Sequence, residues 1–157
     1  MLPDMALSIG QTAPDFTLRD QNFQQVTLSE SDGSKRLIVF IPLAFTSTCE
    51  GELCTIRDNL HALSSRDTQL FVITCDNMAV NKRWADSQRF DFPILSDFWP
   101  HGETTKAYDC FDERIGVPFR ATYTLDEDRV ITDVFTTEKL SIARNFDDYV
   151  EALDRIG

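Results

Sequence analysis

Two stretches of the chain are apolar without interruption, Leu37-Ile38-Val39-Phe40-Ile41 and Leu70-Phe71-Val72-Ile73. Short continuous runs of this kind predict strands buried on both faces. The turn residues Ser31-Asp32-Gly33-Ser34 precede the first run, and Pro42, which has no backbone donor, closes it. Between the two runs Leu53, Ile56, Leu60 and Leu63 recur at spacings of three and four, which predicts a helix over 48–63. Ser47 and Glu50 fit a capping box at its start. Further along, a helix is expected over 78–89 with Trp84 on one side, then a short strand at Phe92-Pro93-Ile94-Leu95 and a short helix over 103–110. Two hairpins are predicted. One lies at 15–28, with Phe16, Leu18, Val26 and Leu28 around Asp20-Gln21-Asn22. In the other, Ala121 to Leu125 and Val130 to Phe135 flank Asp126-Glu127-Asp128-Arg129. Phe146, Tyr149, Val150 and Leu153 form the stripe of a last helix.

The order is hairpin, β, α, β, α, β, α, β, β, α. It predicts an α/β fold with a central mixed sheet and helices on both faces, in a thioredoxin-like arrangement. No repeat or linker interrupts the 157 residues, so a single domain over 1–157 is expected. The composition is that of an ordinary globular chain, 42% hydrophobic and 26% charged. The net charge of -11 makes nucleic acid and anionic membrane surfaces poor partners. No apolar run reaches the ~20 residues of a membrane span. Met1 to Gln11 carries Asp4 and no basic residue, unlike a secretory signal, so the expected compartment is the cytoplasm. There Cys49, Cys54, Cys75 and Cys110 would rest as thiols.

The segment Pro42-Leu-Ala-Phe-Thr46-Ser-Thr-Cys49 carries the most chemistry. A buried strand ends, a short loop follows, and a helix begins at a cysteine. Free N–H groups and the helix dipole in a first turn favour an anion, hence thiolate over thiol. Thr46 offers a hydroxyl to the sulfur or to an incoming oxygen, and Pro42 can shield the site from water. The pattern alone leaves open the plainer reading of Cys49 as a small buried apolar residue.

Pro42-x-x-x-Thr46-x-x-Cys49 resembles the signature of the peroxiredoxins. The wider run through Cys49-Glu-Gly-Glu-Leu, together with Leu95-Ser-Asp-Phe-Trp-Pro-His-Gly102, resembles the AhpE-type branch. Gly116-Val-Pro-Phe-Arg120-Ala-Thr-Tyr-Thr-Leu-Asp126 is similar to the family's arginine-bearing strand. The resemblance implies a thiol-dependent peroxidase, with Cys49 as peroxidatic cysteine, Thr46 orienting the peroxide and Pro42 shielding it. It also implies Arg120 as the arginine at the sulfur and Glu52 as the acid that positions that arginine. A thiolate would attack a hydroperoxide and become a sulfenic acid, without cofactor or metal.

Cys54 resembles the resolving cysteine of the bacterioferritin-comigratory peroxiredoxins, whereas many AhpE-type chains act with one cysteine. In an ideal helix its α-carbon lies ~8.6 Å from that of Cys49, beyond the ~7 Å limit for a disulfide, so bonding would require the helix to unwind at Gly51. Whether Cys54 resolves Cys49 or is passive stays open here. The implied reductant is a low-molecular-weight thiol with a glutaredoxin-like protein, or thioredoxin if Cys54 resolves. Phe98-Trp99-Pro100 is expected to contribute to a homodimer. Cys75 and Cys110 read as packing residues. His61 and His101 show no metal-ligand spacing, and Asp126-Glu127-Asp128 and Asp147-Asp148 read as solvated turn and helix start. A peroxide sensor, or a thioredoxin-like binding module without turnover, is the competing function.

Overall fold

The computed structural model describes residues 6–156. The two uninterrupted runs pair in parallel at the centre of a sheet, as β3 (Lys35–Phe40) and β4 (Thr68–Thr74). Successive side chains of a strand face opposite ways, so each run serves two cores. Leu37, Val39, Leu70 and Val72 pack on one face, and Ile38, Phe40, Phe71 and Ile73 on the other.

The first face is covered by α1 (Ser47–Asp58), α2 (Leu60–Ser64), α3 (Met78–Gln88) and α5 (Phe146–Ile156), through Leu53, Ile56, Leu63, Trp84, Tyr149 and Leu153. On the second face sit Phe16, Leu28 and the segment around Tyr108 and Cys110 that leaves α4 (Glu103–Ala107). The remaining strands are β1 (Thr17–Arg19), β2 (Gln25–Thr27), β5 (Ile94–Ser96), β8 (Ala121–Leu125) and β9 (Ile131–Thr136), with β6 (Phe111–Asp112) and β7 (Val117–Pro118) forming a separate pair. The main sheet has the order β2-β1-β5-β4-β3-β8-β9. Its β5-β4-β3-β8-β9 portion runs parallel, parallel, antiparallel, antiparallel, which is the thioredoxin-like arrangement expected from the element order.

Several boundaries differ from the sequence reading. The helix expected over 48–63 is two helices, broken at Asn59. The Asn59 side chain donates to Thr55 O at 2.8 Å, a local bond that competes with continued helix. The Ser47–Glu50 capping box does not form: Thr46 is the N-cap, Ser47 is already helical, and Glu50 instead accepts from the Trp84 indole at 3.0 Å. The helix expected over 103–110 ends at Ala107, and the β6–β7 pair was not anticipated. Both predicted hairpins are present, with Leu18 opposite Val26 and Tyr123 opposite Val134.

Candidate active site

Helix periodicity puts the nucleophile candidate and its acid on one face. In α1 the buried positions are Cys49, Glu52, Leu53 and Ile56, a stripe at spacings of three and four. Cys49 is fully buried. The first intrahelical bond runs from Glu50 N–H to Thr46 O, so Cys49 lies in the first turn, before the helix begins to consume its own N–H groups.

Strand parity supplies the other half. Ala121, Tyr123 and Leu125 point to the second core, so Arg120 and Thr122 point to the face that carries α1. Arg120 is 3% exposed, and its Nη2 donates to Cys49 Sγ at 3.1 Å. Its Nη1 donates to Glu52 Oε1 at 2.6 Å, and its Nε to Leu140 O. All three bonds fix the guanidinium plane against the sulfur.

The sequence reading missed Arg144. Its backbone N–H and Nε donate to Glu52 Oε2 at 2.6 and 2.9 Å, its Nη2 to Glu52 Oε1 at 2.7 Å, and its Nη1 to Thr122 Oγ1 at 3.0 Å. Thr122 is in turn bonded to the Tyr149 hydroxyl at 2.9 Å. Burial alone would raise the Glu52 carboxyl, but the Arg144 bonds and charge, with Arg120 behind them, hold it below the usual carboxylate range. One signal of Arg144 was available. An arginine two residues ahead of Phe146, where α5 begins, opposes the helix dipole and needs a tertiary partner.

The charge balance of this buried cluster is informative. Two guanidiniums face one carboxylate, and the Cys49 sulfur lies against the Arg120 guanidinium as a further acceptor.

The other anticipated residues stand apart from this cluster. Thr46 precedes α1, with its hydroxyl donating to Leu43 O at 2.8 Å. Pro42 is buried just past β3. Cys54 lies on the same helix as Cys49 but off its buried stripe, and its thiol faces Gln88 Oε1 at 3.8 Å. All four cysteines are free thiols. Burial pushes the Cys75 thiol up to about 12 and raises that of Cys110 as well. Among the described residues no His, Cys, Asp and Glu cluster has the form of a metal site, and no helix is long and apolar enough to cross a membrane.

Residues 9–134 match the AhpC/TSA family. The chain belongs to that family. This peroxiredoxin is 47% identical over 126 residues to alkyl hydroperoxide reductase E of Mycobacterium tuberculosis, covering 80% of this chain and 82% of the other. Over 146 residues it is 32% identical to peroxiredoxin Bcp of Escherichia coli, covering 86% and 89% of the two chains. The crystal structure of peroxidoxin BcpB from Mycobacterium tuberculosis superimposes with a TM-score of 0.85 at 26% identity, over 96% of this chain and 99% of that one. The peroxiredoxin identity implied by the Pro42–Cys49 motif, and the AhpE-like character implied by the wider run and by Leu95–Gly102, therefore hold, and the chain is a hydroperoxide reductase of peroxiredoxin type. The matched stretch contains Cys49, Glu52 and Arg120 and ends before Arg144.

Proposed function

We propose that Cys49 is the peroxidatic nucleophile, acting as a thiolate held by Arg120. The observation that carries this reading is the Arg120–Sγ bond, fixed from behind by the Glu52–Arg144 clamp. The sulfur attacks the terminal oxygen of a hydroperoxide in line. The S–O bond forms as O–O breaks, the departing oxygen takes a proton and leaves as water or alcohol, and Cys49 becomes a sulfenic acid. Charge moves from sulfur to the leaving oxygen, and Arg120 with the first-turn N–H groups can follow it. The Thr46 proton is committed to Leu43 O, so the Thr46 oxygen is free to accept a hydrogen bond from the peroxide O–H. Pro42 shields the site.

For recycling we propose that Cys54 resolves the sulfenic acid by expelling water and forming a Cys49–Cys54 disulfide. Thioredoxin would then reduce that disulfide; if Cys54 is passive, a low-molecular-weight thiol with a glutaredoxin-like protein would serve. Either thiol must reach a buried sulfur on a continuous helix, so the first turns of α1 open before resolution. The chain would work in the cytoplasm as one domain over 1–157, without cofactor or metal. It would form a homodimer through the exposed Phe98–Trp99 loop.

The test is peroxide treatment followed by thiol blocking and mass mapping. The expected product is a Cys49–Cys54 linkage. Sulfenic or sulfinic Cys49 without that linkage sinks the two-cysteine cycle, and an unmodified Cys49 sinks the peroxidatic assignment. Cys49→Ser should abolish peroxide reduction.

A further inference from the structure

We propose that Tyr149 is a positioning residue for the reaction at Cys49, fixing the Arg120 guanidinium through a buried chain of side chains that runs by way of Thr122, Arg144 and Glu52. The inference rests on Cys49 as the peroxidatic thiol and goes beyond it to a residue on α5. Every link is a hydrogen bond. The Tyr149 hydroxyl and Thr122 Oγ1 are 2.9 Å apart, Arg144 Nη1 donates to Thr122 Oγ1 at 3.0 Å, and Arg144 Nη2 donates to Glu52 Oε1 at 2.7 Å. The same Oε1 accepts from Arg120 Nη1 at 2.6 Å, and Arg120 Nη2 reaches Cys49 Sγ at 3.1 Å.

Packing accounts for the Tyr149 ring but not for its hydroxyl. The ring stands on the apolar stripe of α5, with Phe146 at 6.0 Å and Phe135 at 5.4 Å between centroids, both edge-on. A phenylalanine would fill that place. The hydroxyl is carried into the core that holds Leu53 and Leu153, where an unpaired one would be destabilising, and its bond to Thr122 offsets that penalty. Burial also raises the phenol above its ordinary value, so it is a neutral hydrogen-bonding group near pH 7.

Arg144 comes from the irregular stretch between β9 and α5, and it bridges Glu52 on α1 to Thr122 on β8. Thr122 lies two residues beyond Arg120 and faces the same side of the sheet, so the bridge ends beside the group it supports. A threonine hydroxyl has one proton and two lone pairs. One lone pair takes the Arg144 proton, and Tyr149 engages either the proton or the second lone pair. Either way the rotation of the Thr122 hydroxyl is fixed, and with it the direction in which Arg144 Nη1 is held. Loss of the Tyr149 hydroxyl frees that rotation, slackens Arg144 between its two anchors, and lets Glu52 and the Arg120 guanidinium drift against the sulfur. Thr122 is fully buried and the Arg144 side chain is 2% exposed, so solvent cannot replace the missing partner.

Tyr149→Phe removes one oxygen and leaves the ring. On the full chain it should slow oxidation of Cys49 by hydrogen peroxide ~3–10-fold, the scale of one buried hydrogen bond. Arg120 faces the charge that moves onto the departing oxygen in that reaction. Iodoacetamide develops no such oxygen, so alkylation of Cys49 should stay within about twofold of the unsubstituted protein. A purely structural role would loosen the packing over a buried sulfur and speed alkylation instead. Arg120→Lys keeps a cation but loses the fork that meets Glu52 and the sulfur together. In that background Tyr149→Phe should change the peroxide rate by less than about twofold. An unchanged peroxide rate in Tyr149→Phe, alkylation altered as much as oxidation, or a Tyr149→Phe effect that persists in full with Arg120→Lys would each overturn the proposal. If Arg120→Lys does not fold, Thr122→Val takes its place, and a Tyr149→Phe effect that persists in full there overturns the proposal equally. Should the unsubstituted protein itself fail to oxidise at Cys49, the peroxidatic reading falls and the role of Tyr149 with it, whereas a failure confined to the variants leaves that reading standing.

Discussion

Glu52 is the residue on which the site depends most for its shape. It is 8% exposed and accepts four hydrogen bonds from two arginines, so its removal strands two buried cations. Glu52→Gln should cost about 3–5 kcal/mol of unfolding free energy near pH 7, the range for breaking a buried pair from one side. The pH dependence has a definite sign. The folded carboxyl is held below its ordinary 4.5, so its contribution is fully present above that value and is lost as pH falls through the lower folded one. Urea denaturation across pH should show the gap between wild type and Glu52→Gln flat from about pH 7 to 5 and closing below about pH 4. A gap that persists unchanged to about pH 3 would contradict the carboxylate's role. Cys75 offers a contrast at the same scale. With burial pushing its thiol up to about 12, folded protein treated with iodoacetamide near pH 8 should leave Cys75 unlabelled, and Cys75→Ser should keep its peroxidase activity. Rapid labelling of Cys75 under those conditions would show that the core around it opens.

At the level of the element, α1 must satisfy two opposed demands: it holds Cys49 in its first turn for attack, and it must loosen for resolution. Gly51 lies between the two cysteines, and a Cβ there would meet open space. Gly51→Ala should therefore stabilise the helix by up to ~1 kcal/mol without a clash, and slow Cys49–Cys54 linkage by about fivefold. Sulfenic acid formation should not change. Rapid-quench thiol trapping separates the two steps, and an unaltered linkage rate would mean that unwinding is not what limits resolution. This same helix shows what could be read from the chain and what could not. The stripe of Leu53 and Ile56 and the placement of Cys49 near a helix start were legible, because periodicity and a preceding buried strand are local signals. Arg120 and Glu52 were legible only through a resemblance, since nothing local brings residues 68 positions apart together. The break at Asn59 and the use of Glu50 by Trp84 follow from side-chain bonds that compete with the regular pattern. Arg144 and Leu140 sit in the irregular stretch between β9 and α5, where no periodicity exists to be read.

At the level of the molecule, an acidic chain of net charge -11 nevertheless exposes a set of large apolar side chains around one end. Leu43, Phe98 and Ile115 line a cavity beside Pro42 and Cys75, and Trp99, at 84% the most exposed large apolar side chain among the described residues, adjoins Phe98. A rim of this composition is costly in water, and a second copy of the same face would cover it in a self-complementary way. The charge opposes that association, since two copies each carrying -11 repel at long range. Apolar burial is insensitive to moderate salt, while the repulsion falls as the Debye length shortens from ~30 Å at 0.01 M to ~10 Å at 0.1 M. Sedimentation velocity at micromolar concentration should therefore find a dimer whose dissociation constant tightens as salt rises through that range. Trp99→Glu places a further charge inside the contact and should yield monomer at the same concentration. A dimer weakened by salt would instead indicate a contact held by ion pairs, and a wild-type monomer at both salt levels would remove the apolar rim as an interface between copies.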